Sequence, residues 1–362
     1  MAKQNQYDKK HLSNLNKQTA KIDRLFREAC KEAAKLGIAS GFTGNGVFSF
    51  SDYPKLKQRV DRLFEALHEG IVTTIENGNR DEWHLSIEKN SSYVDSITSS
   101  SRLTKDQISQ FKPQNLDALA AFQSRKINGL GLSDRVWKFV EDGISDFELA
   151  IDIGLGDGKS AAELSRDIRT YLNEPKKLFR RVRNKHGNLV LSQRAKNYHP
   201  GQGVYRSSYK NALRMTRTEI NMAYRTADHE NWKNNDLVLG FEIVLSNNHP
   251  VVDICDELTG KYPAEFKFVG WHPQCRCAAV PIMVKYNEFI KYENALLAGE
   301  DVTDFKFTGK VTDVPNTFKI WAKDNRKKID KMTTRKTLPY FMKDNKLILN
   351  NLDTNSFIIF DL

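Results

Sequence analysis

The sequence predicts an α+β fold with a mostly helical N-terminal half, a small Cys/His-containing α+β module at about residues 205–285 and a short mixed C-terminal segment. Three observations predict it. Apolar residues in the first 150 positions recur at three- and four-residue intervals, the spacing of one helix face. Beyond about residue 236 the pattern switches to short runs rich in β-branched and aromatic residues. Three of the four cysteines, Cys255, Cys275 and Cys277, fall close together in that later region. The division expected from these shifts is a helical region over 1–150, a module over 151–285 and an extension over 286–362.

Leu15, Ile22, Leu25, Phe26, Ala29, Ala33 and Leu36 form the first stripe, and Gly37 is placed to stop that helix. A second helix is signalled by Pro54 at a first-turn position, followed by Leu56, Val60, Leu63, Phe64, Leu67, Ile71 and Ile75 up to Gly78. These stripes read as core or subunit-packing faces. A polar linker rich in Ser, Thr and Asn is expected over about 90–101, with further helices around 114–127 and 133–150.

The stretch "IDIGLGDGKSAAELSRDI" invites a nucleotide-binding reading, which the spacing refuses. A phosphate loop needs glycine where Ile153 stands, and a dinucleotide fingerprint needs glycine where Lys159 stands. Ser160 followed by Glu163 reads instead as a helix-capping pair, with Leu164, Ile168 and Leu172 facing inward. A long helix is expected over 207–233, carrying a polar stripe of Arg214, Arg217, Asn221 and Arg225 beside an apolar one of Leu213, Ile220, Ala223 and Ala227. Beyond it, "LVLGFEIVLS", "FKFVGW" and "CAAVPIMV" read as strands, with Pro281 marking an edge or strand end, and "DELTGKYP" as a turn. A helix near 317–330 and the apolar tail "SFIIFDL" complete the chain.

The formal charge of +11 is unevenly placed. Between Ala161 and Arg225 fifteen basic residues face four acidic ones, whereas Thr226–Pro281 carries eight acids and four bases. A basic stretch so weakly balanced points to a polyanion or an acidic protein surface as partner. Arg180, Arg181, Arg183, Lys185, Arg214, Arg217 and Arg225 are the residues expected to make that contact, and the helical ones are expected to be exposed. No run of eighteen apolar residues occurs and the N-terminal residues lack the apolar core of a secretory signal, so no membrane association is expected and the product is read as cytoplasmic. Four cysteines in 362 residues are too few for a disulfide scaffold.

Within residues 249–277 stand His249, Asp253, Cys255, His272, Cys275 and Cys277. Thiolate sulfur and imidazole nitrogen are the ligands of tetrahedral Zn2+, and four of them from a short stretch can stabilise a small fold with little apolar surface. In an extended strand Cys275 and Cys277 share a face; the His272–Pro273 turn brings an imidazole alongside, and Cys255 supplies a fourth ligand. His249 and Asp253 are the substitutes or supporting partners. Free buried thiols, a disulfide and a Cys–His nucleophilic pair remain as other readings of the same residues. A catalytic metal would need an open position and a base such as Glu257 or Asp253.

The segments "RMTRTEINMAYRTADHENW", "GFEIVLSNNHPVVDICDELTGKYP" and "GWHPQCRC" together resemble the Mu F-like minor head proteins, or head morphogenesis proteins, of tailed bacteriophages. The resemblance covers about residues 160–285. Its matching positions are Arg217, Thr218 and Glu219; His249, Asp253 and Cys255; and His272, Pro273, Cys275, Arg276 and Cys277. It implies a non-enzymatic virion component at the interior of the head or the portal vertex, assembled in a bacterial cytoplasm and acting in head morphogenesis and DNA packaging. The implied partners are portal and major capsid or scaffold proteins, with double-stranded DNA a further partner of the basic stretch. The competing expectation is a metal-dependent nuclease or phage-borne effector enzyme built on His249, Asp253 and His272.

Overall fold

A computed structural model describes residues 5–43, 46–174, 181–183, 185–191, 207–246, 252–303, 305–346 and 348. The chain separates into two compact units. One comprises residues 16–78 and 123–217, the other residues 1–15, 79–122 and 218–362. The α+β expectation holds, with helices dominating and one small antiparallel sheet.

The first of these units is helical. It draws on α1 (Gln6–Ala39), α2 (Pro54–Thr98), α5 (Leu132–Gly156), α6 (Ala161–Asn173) and α7 (Ser208–Trp232). Ile22, Phe26, Ala33, Phe64, Ile71, Val140, Ile151, Leu164 and Ile168 share one buried core. Burying side chains of this size contributes about 1.5–3 kcal/mol each before entropy is subtracted, which is why the stripes rather than helix propensity decide these elements. Pro54 opens α2 and Ser160 caps α6, accepting from the Glu163 backbone amide while the Glu163 carboxylate accepts from the Ser160 amide.

Gly37 does not stop α1, which runs two residues further. A Cβ at Gly37 would lie 2.7 Å from Cγ2 of Ile151, so this glycine allows α5 to approach α1 closely. The left-handed residue that follows the helix is Gly41, at φ +70°. A two-stranded antiparallel ladder pairs β1 (Arg181–Arg183) with β2 (Leu189–Leu191), elements that the sequence pattern did not announce.

The second unit holds the sheet. Its helices α3 (Lys105–Ser109) and α4 (Leu116–Ser124) follow α2. Strand β3 (Val238–Val244) lies between β4 (Gly260–Tyr262) and β5 (Ala278–Met283), antiparallel to both, so Pro281 sits on an edge strand as expected. The "FKFVGW" run forms no strand. Phe266, Phe268 and Trp271 instead pack with Tyr262, Phe318 and Phe341 as an aromatic cluster. A one-turn helix, α8 (Ile254–Glu257), precedes β4 where a turn was expected.

C-terminal to the sheet come α9 (Tyr286–Leu297), α10 (Asn316–Asp324), α11 (Arg326–Thr334) and α12 (Tyr340–Lys343). The single helix expected near 317–330 is thus two, divided at Asn325, whose side-chain amide donates to the Trp321 carbonyl. Phe318, Ile329, Leu338 and Phe341 enter the same core as Cys255, Cys275 and Cys277, so the described C-terminal helices help to build the Cys/His module.

The polar linker expected over 90–101 is not one. Helix α2 continues without a break through Gly78 to Thr98. Its Asn79, Glu82, Ser86, Lys89 and Asn90 are buried. No described helix is long and apolar enough to cross a membrane.

Candidate metal centre

Two segments of the second unit meet at Cys255. The sulfur of Cys255 lies 3.1 Å from Nε2 of His272 and 3.7 Å from the sulfur of Cys275. The ligand atoms of Cys255, His272 and Cys275 all lie within 4.8 Å of one another, close enough to hold a single metal ion.

Each side chain is placed by local backbone chemistry. Asp253 caps α8, its Oδ1 accepting from the Cys255 amide at 2.7 Å, which fixes the first turn and hence the Cys255 thiol. His272 and Cys275 belong to a tight turn in which the Cys275 amide donates to the His272 carbonyl. Gln274 takes the left-handed conformation there, φ +64°, and its amide donates to Oγ1 of Thr218 on α7. Nδ1 of His272 lies 2.8 Å from the Pro273 carbonyl oxygen and must donate to it, which leaves the Nε2 lone pair facing the sulfurs. Oδ2 of Asp253 is 3.3 Å from the same nitrogen, so this carboxylate borders the cluster.

Cys255, Cys275 and Cys277 are all buried, whereas His272 is partly open to solvent. The three thiols are free. Hydrogen bonds from Cys255 and then Cys277 hold the Cys275 thiol well below the usual cysteine range, against the opposing effect of burial. The thiolate is the form of cysteine that binds metals. Cys277 precedes β5 in irregular backbone and does not sit beside Cys275 on a strand face. The group whose ligand atoms lie within 4.8 Å of one another comprises Cys255, His272 and Cys275, and does not include Cys277. His249 lies outside the described residues.

Gly270 sets how tightly the turn closes. It sits at φ +114°, and a Cβ there would lie 3.0 Å from Cβ of Cys275. Gly270→Ala is expected to cost about 1–3 kcal/mol from the backbone conformation alone and to displace Cys275. Urea unfolding of the variant, together with its metal content, measures both effects.

Arg225 corrects an expectation. It was expected on an exposed contact stripe, yet it is 2% exposed and engaged through both terminal nitrogens. Its Nη1 lies 3.2 Å from carboxylate oxygens of both Asp8 and Asp228, and its Nη2 donates to the Cys277 carbonyl at 3.0 Å. Asp228 also accepts from Ser86 and Lys89 at 2.6 Å each, and from Asn90 at 3.0 Å. Lys89 sits 4.4 Å from the ring centroid of Tyr224, whose hydroxyl donates to Asp8.

His11 stacks on Tyr224, with Nδ1 2.5 Å from Glu82 and Nε2 3.0 Å from Oδ1 of Asn221. The Asn221 amide nitrogen donates to the Val269 carbonyl, which orients its oxygen toward the ring. Both His11 nitrogens thus face side-chain oxygens, of Glu82 on one side and Asn221 on the other. Through Asn221, Arg225 and Thr218, helix α7 grips the backbone on either side of the His272–Cys275 turn.

Of the other expected contact residues, Arg214 and Arg217 are half-buried. Arg217 donates to Asn16 and Thr19 within the helical unit. Lys185 is exposed; Arg181 and Arg183 are defined as strand residues only, and Arg180 lies outside the described residues. The sequence reading missed Asp8, His11, Glu82, Lys89 and Asp228. A signal was present in the spacing of Glu82, Ser86 and Lys89 on one face of α2, and of Asn221, Arg225 and Asp228 on one face of α7. Comparison with family models, with curated proteins and with solved structures finds no match.

Proposed function

We propose that the chain is a non-enzymatic head-morphogenesis protein of a tailed phage, whose Cys/His cluster holds a structural zinc ion. One observation carries the reading. The three sequence segments that resemble Mu F-like proteins are brought together around the His272–Cys275 turn through Thr218, Asp253, Cys255 and Arg225.

Donor type and spacing fit zinc. Sulfurs bound at about 2.3 Å on a tetrahedral ion stand about 3.8 Å apart, close to the 3.7 Å between Cys255 and Cys275. Sulfur and imidazole donors are those of closed structural sites, and Cys277 or Asp253 is at hand for the fourth position. Such an ion would fasten α8 to the turn that α7 supports.

In this reading the assembled module docks on portal, capsid or scaffold protein, and the basic stretch contacts that surface or packaged double-stranded DNA. Arg225 takes no part in the contact. The test is a phage or prophage carrying the gene, with and without Cys275→Ser. The protein should be detected in purified virions at low copy, and the variant should give heads that are misassembled or lack DNA. Normal, infectious, DNA-filled heads formed without the protein would overturn the role. Nuclease activity of the purified protein that chelator abolishes would favour the enzymatic alternative instead.

A further inference from the structure

The helical unit contains an open cavity of about 770 Å3 walled by α1, α6 and the start of α7. Its size falls within the range of small-molecule sites, roughly 300–1,000 Å3. Four cations line it, Arg27, Arg166, Arg169 and Lys210, against two carboxylates, Asp23 and Glu174. Asp23 is already committed: Arg27 donates to its Oδ2, and the Tyr209 hydroxyl donates to its Oδ1 at 3.1 Å.

That leaves Arg166, Arg169 and Lys210 as cations with no carboxylate within ion-pair distance among the described residues. Nε of Arg169 is buried and has no hydrogen-bond partner among them. Arg166 and Arg169 stand three apart on one helix, so both guanidinium groups reach the same wall, and Lys210 reaches it from α7. Like charges gathered around one concavity, one of them with an unused buried donor, call for an anion. Guanidinium groups answer phosphate with paired hydrogen bonds.

A bare phosphate would fill little of this space. The Phe26 and Tyr209 rings, in edge contact with centroids 5.2 Å apart, supply an aromatic wall beside the cations. Aromatic rings next to a basic groove are what bases of nucleotides or unpaired strands stack on. We propose that this cavity is a binding site for a nucleoside phosphate, held at its phosphate by Arg166, Arg169 and Lys210 and at its base by Tyr209. The shared chemistry has two sources, a free mononucleotide or one unit of a single strand. The inference does not rest on the head-assembly reading, and its failure leaves the metal test untouched.

The test uses full-length protein and three probes: inorganic phosphate, adenosine monophosphate, and a fluorescein-labelled eight-residue thymidine oligonucleotide read by polarisation at several salt concentrations. Arg166→Gln/Lys210→Gln is the main variant, since Arg166 is exposed and Lys210 half-buried, and thermal unfolding followed by circular dichroism checks its fold. Tyr209→Leu is the second variant.

Saturable binding of at least one nucleoside-phosphate probe is expected, with a loss of tenfold or more in the double variant. For the oligonucleotide, the double variant should also lower the salt slope by about 1.4, from about 0.7 per strand phosphate contacted. Tyr209→Leu should weaken adenosine monophosphate more than inorganic phosphate. Competition by the mononucleotide at similar affinity identifies a free nucleotide as ligand; tight oligonucleotide binding that the mononucleotide does not displace identifies a strand. Absence of binding by every probe at low salt, or equal binding by a folded double variant, would overturn the site.

Discussion

Asp228→Ala is expected to lower folding stability by about 3–5 kcal/mol, the cost of removing one partner from a buried ion pair. Four donors converge on this carboxylate: Ser86, Lys89, Asn90 and Arg225. The Lys89 side chain is fully buried, and without Asp228 its nearest remaining carboxylate oxygen is on Asp8, 3.8 Å away. The ammonium would then be left buried with one distant partner, and the penalty is the desolvation of that charge rather than the loss of any one contact. Urea denaturation measures it as a shift in midpoint at unchanged slope. Asp228→Asn should cost less, because it keeps the volume and one acceptor, and Lys89→Met in the Asp228→Asn background should recover part of the loss by removing the orphaned charge. A loss below about 0.5 kcal/mol for Asp228→Ala would show that the network is not a stabilising element.

The same network gives acid lability with a definite sign. Burial alone would raise the Asp8 carboxyl, but the charges of Lys89 and Arg225 hold it below its ordinary value of 3.8. A carboxylate lowered in the folded state contributes stability that is complete above its unfolded value and is lost as pH falls through that value toward the folded one. Stability should therefore fall as pH drops below about 4, and Asp8→Asn should remove that part of the fall.

Cys275→Ser is expected to abolish metal retention and with it the response to chelator. If the wild-type protein holds its ion with free metal about a thousandfold above the dissociation constant, the ion contributes about 4 kcal/mol. Stripping it should lower the wild-type melting temperature by several degrees and leave the variant unchanged. The competing reading, free buried thiols, predicts a modest packing cost for Cys275→Ser in metal-free and metal-containing buffer alike. The interaction between variant and chelator, not the destabilisation itself, separates the two. His272→Ala should behave like Cys275→Ser. Cys30→Ser, placed in the core of the helical unit where burial raises its thiol far above the usual range, should destabilise without altering chelator response.

Helix positions were legible in the sequence wherever one apolar stripe met one core, as in α1, the first half of α2, α6 and α7. Legibility failed where polarity was buried. The residues from Asn79 to Asn90 resemble a solvated face and a linker because composition alone does not distinguish a side chain in water from one hydrogen-bonded in a core. Only the second carboxylate or cation, 139 positions away for Lys89 and Asp228, makes the difference. Arg225 was misjudged for the same reason: a basic stripe at helical spacing was read as exposed, and its partners Asp8 and Asp228 were not weighed. Gly37 shows the converse limit. A glycine near a helix end suits a stop signal, and only the approach of Ile151 reveals a packing role.

The Cys/His cluster was more legible, because its residue types are rare in this chain and close in sequence. Cys255, His272 and Cys275 do converge. Their geometry was not foreseen, since it comes from a left-handed Gln274 and an Asp253 cap rather than from a strand that presents alternate side chains to one face.

The most direct test of the metal centre is elemental analysis of protein purified without chelator, combined with X-ray absorption at the zinc edge. The prediction is close to one zinc per chain, bound by at least two sulfurs at about 2.3 Å and by nitrogen at about 2.0–2.1 Å, with zinc absent from Cys275→Ser. Protein that is folded and metal-free after expression in zinc-replete medium, or zinc bound only by oxygen and nitrogen, would contradict it.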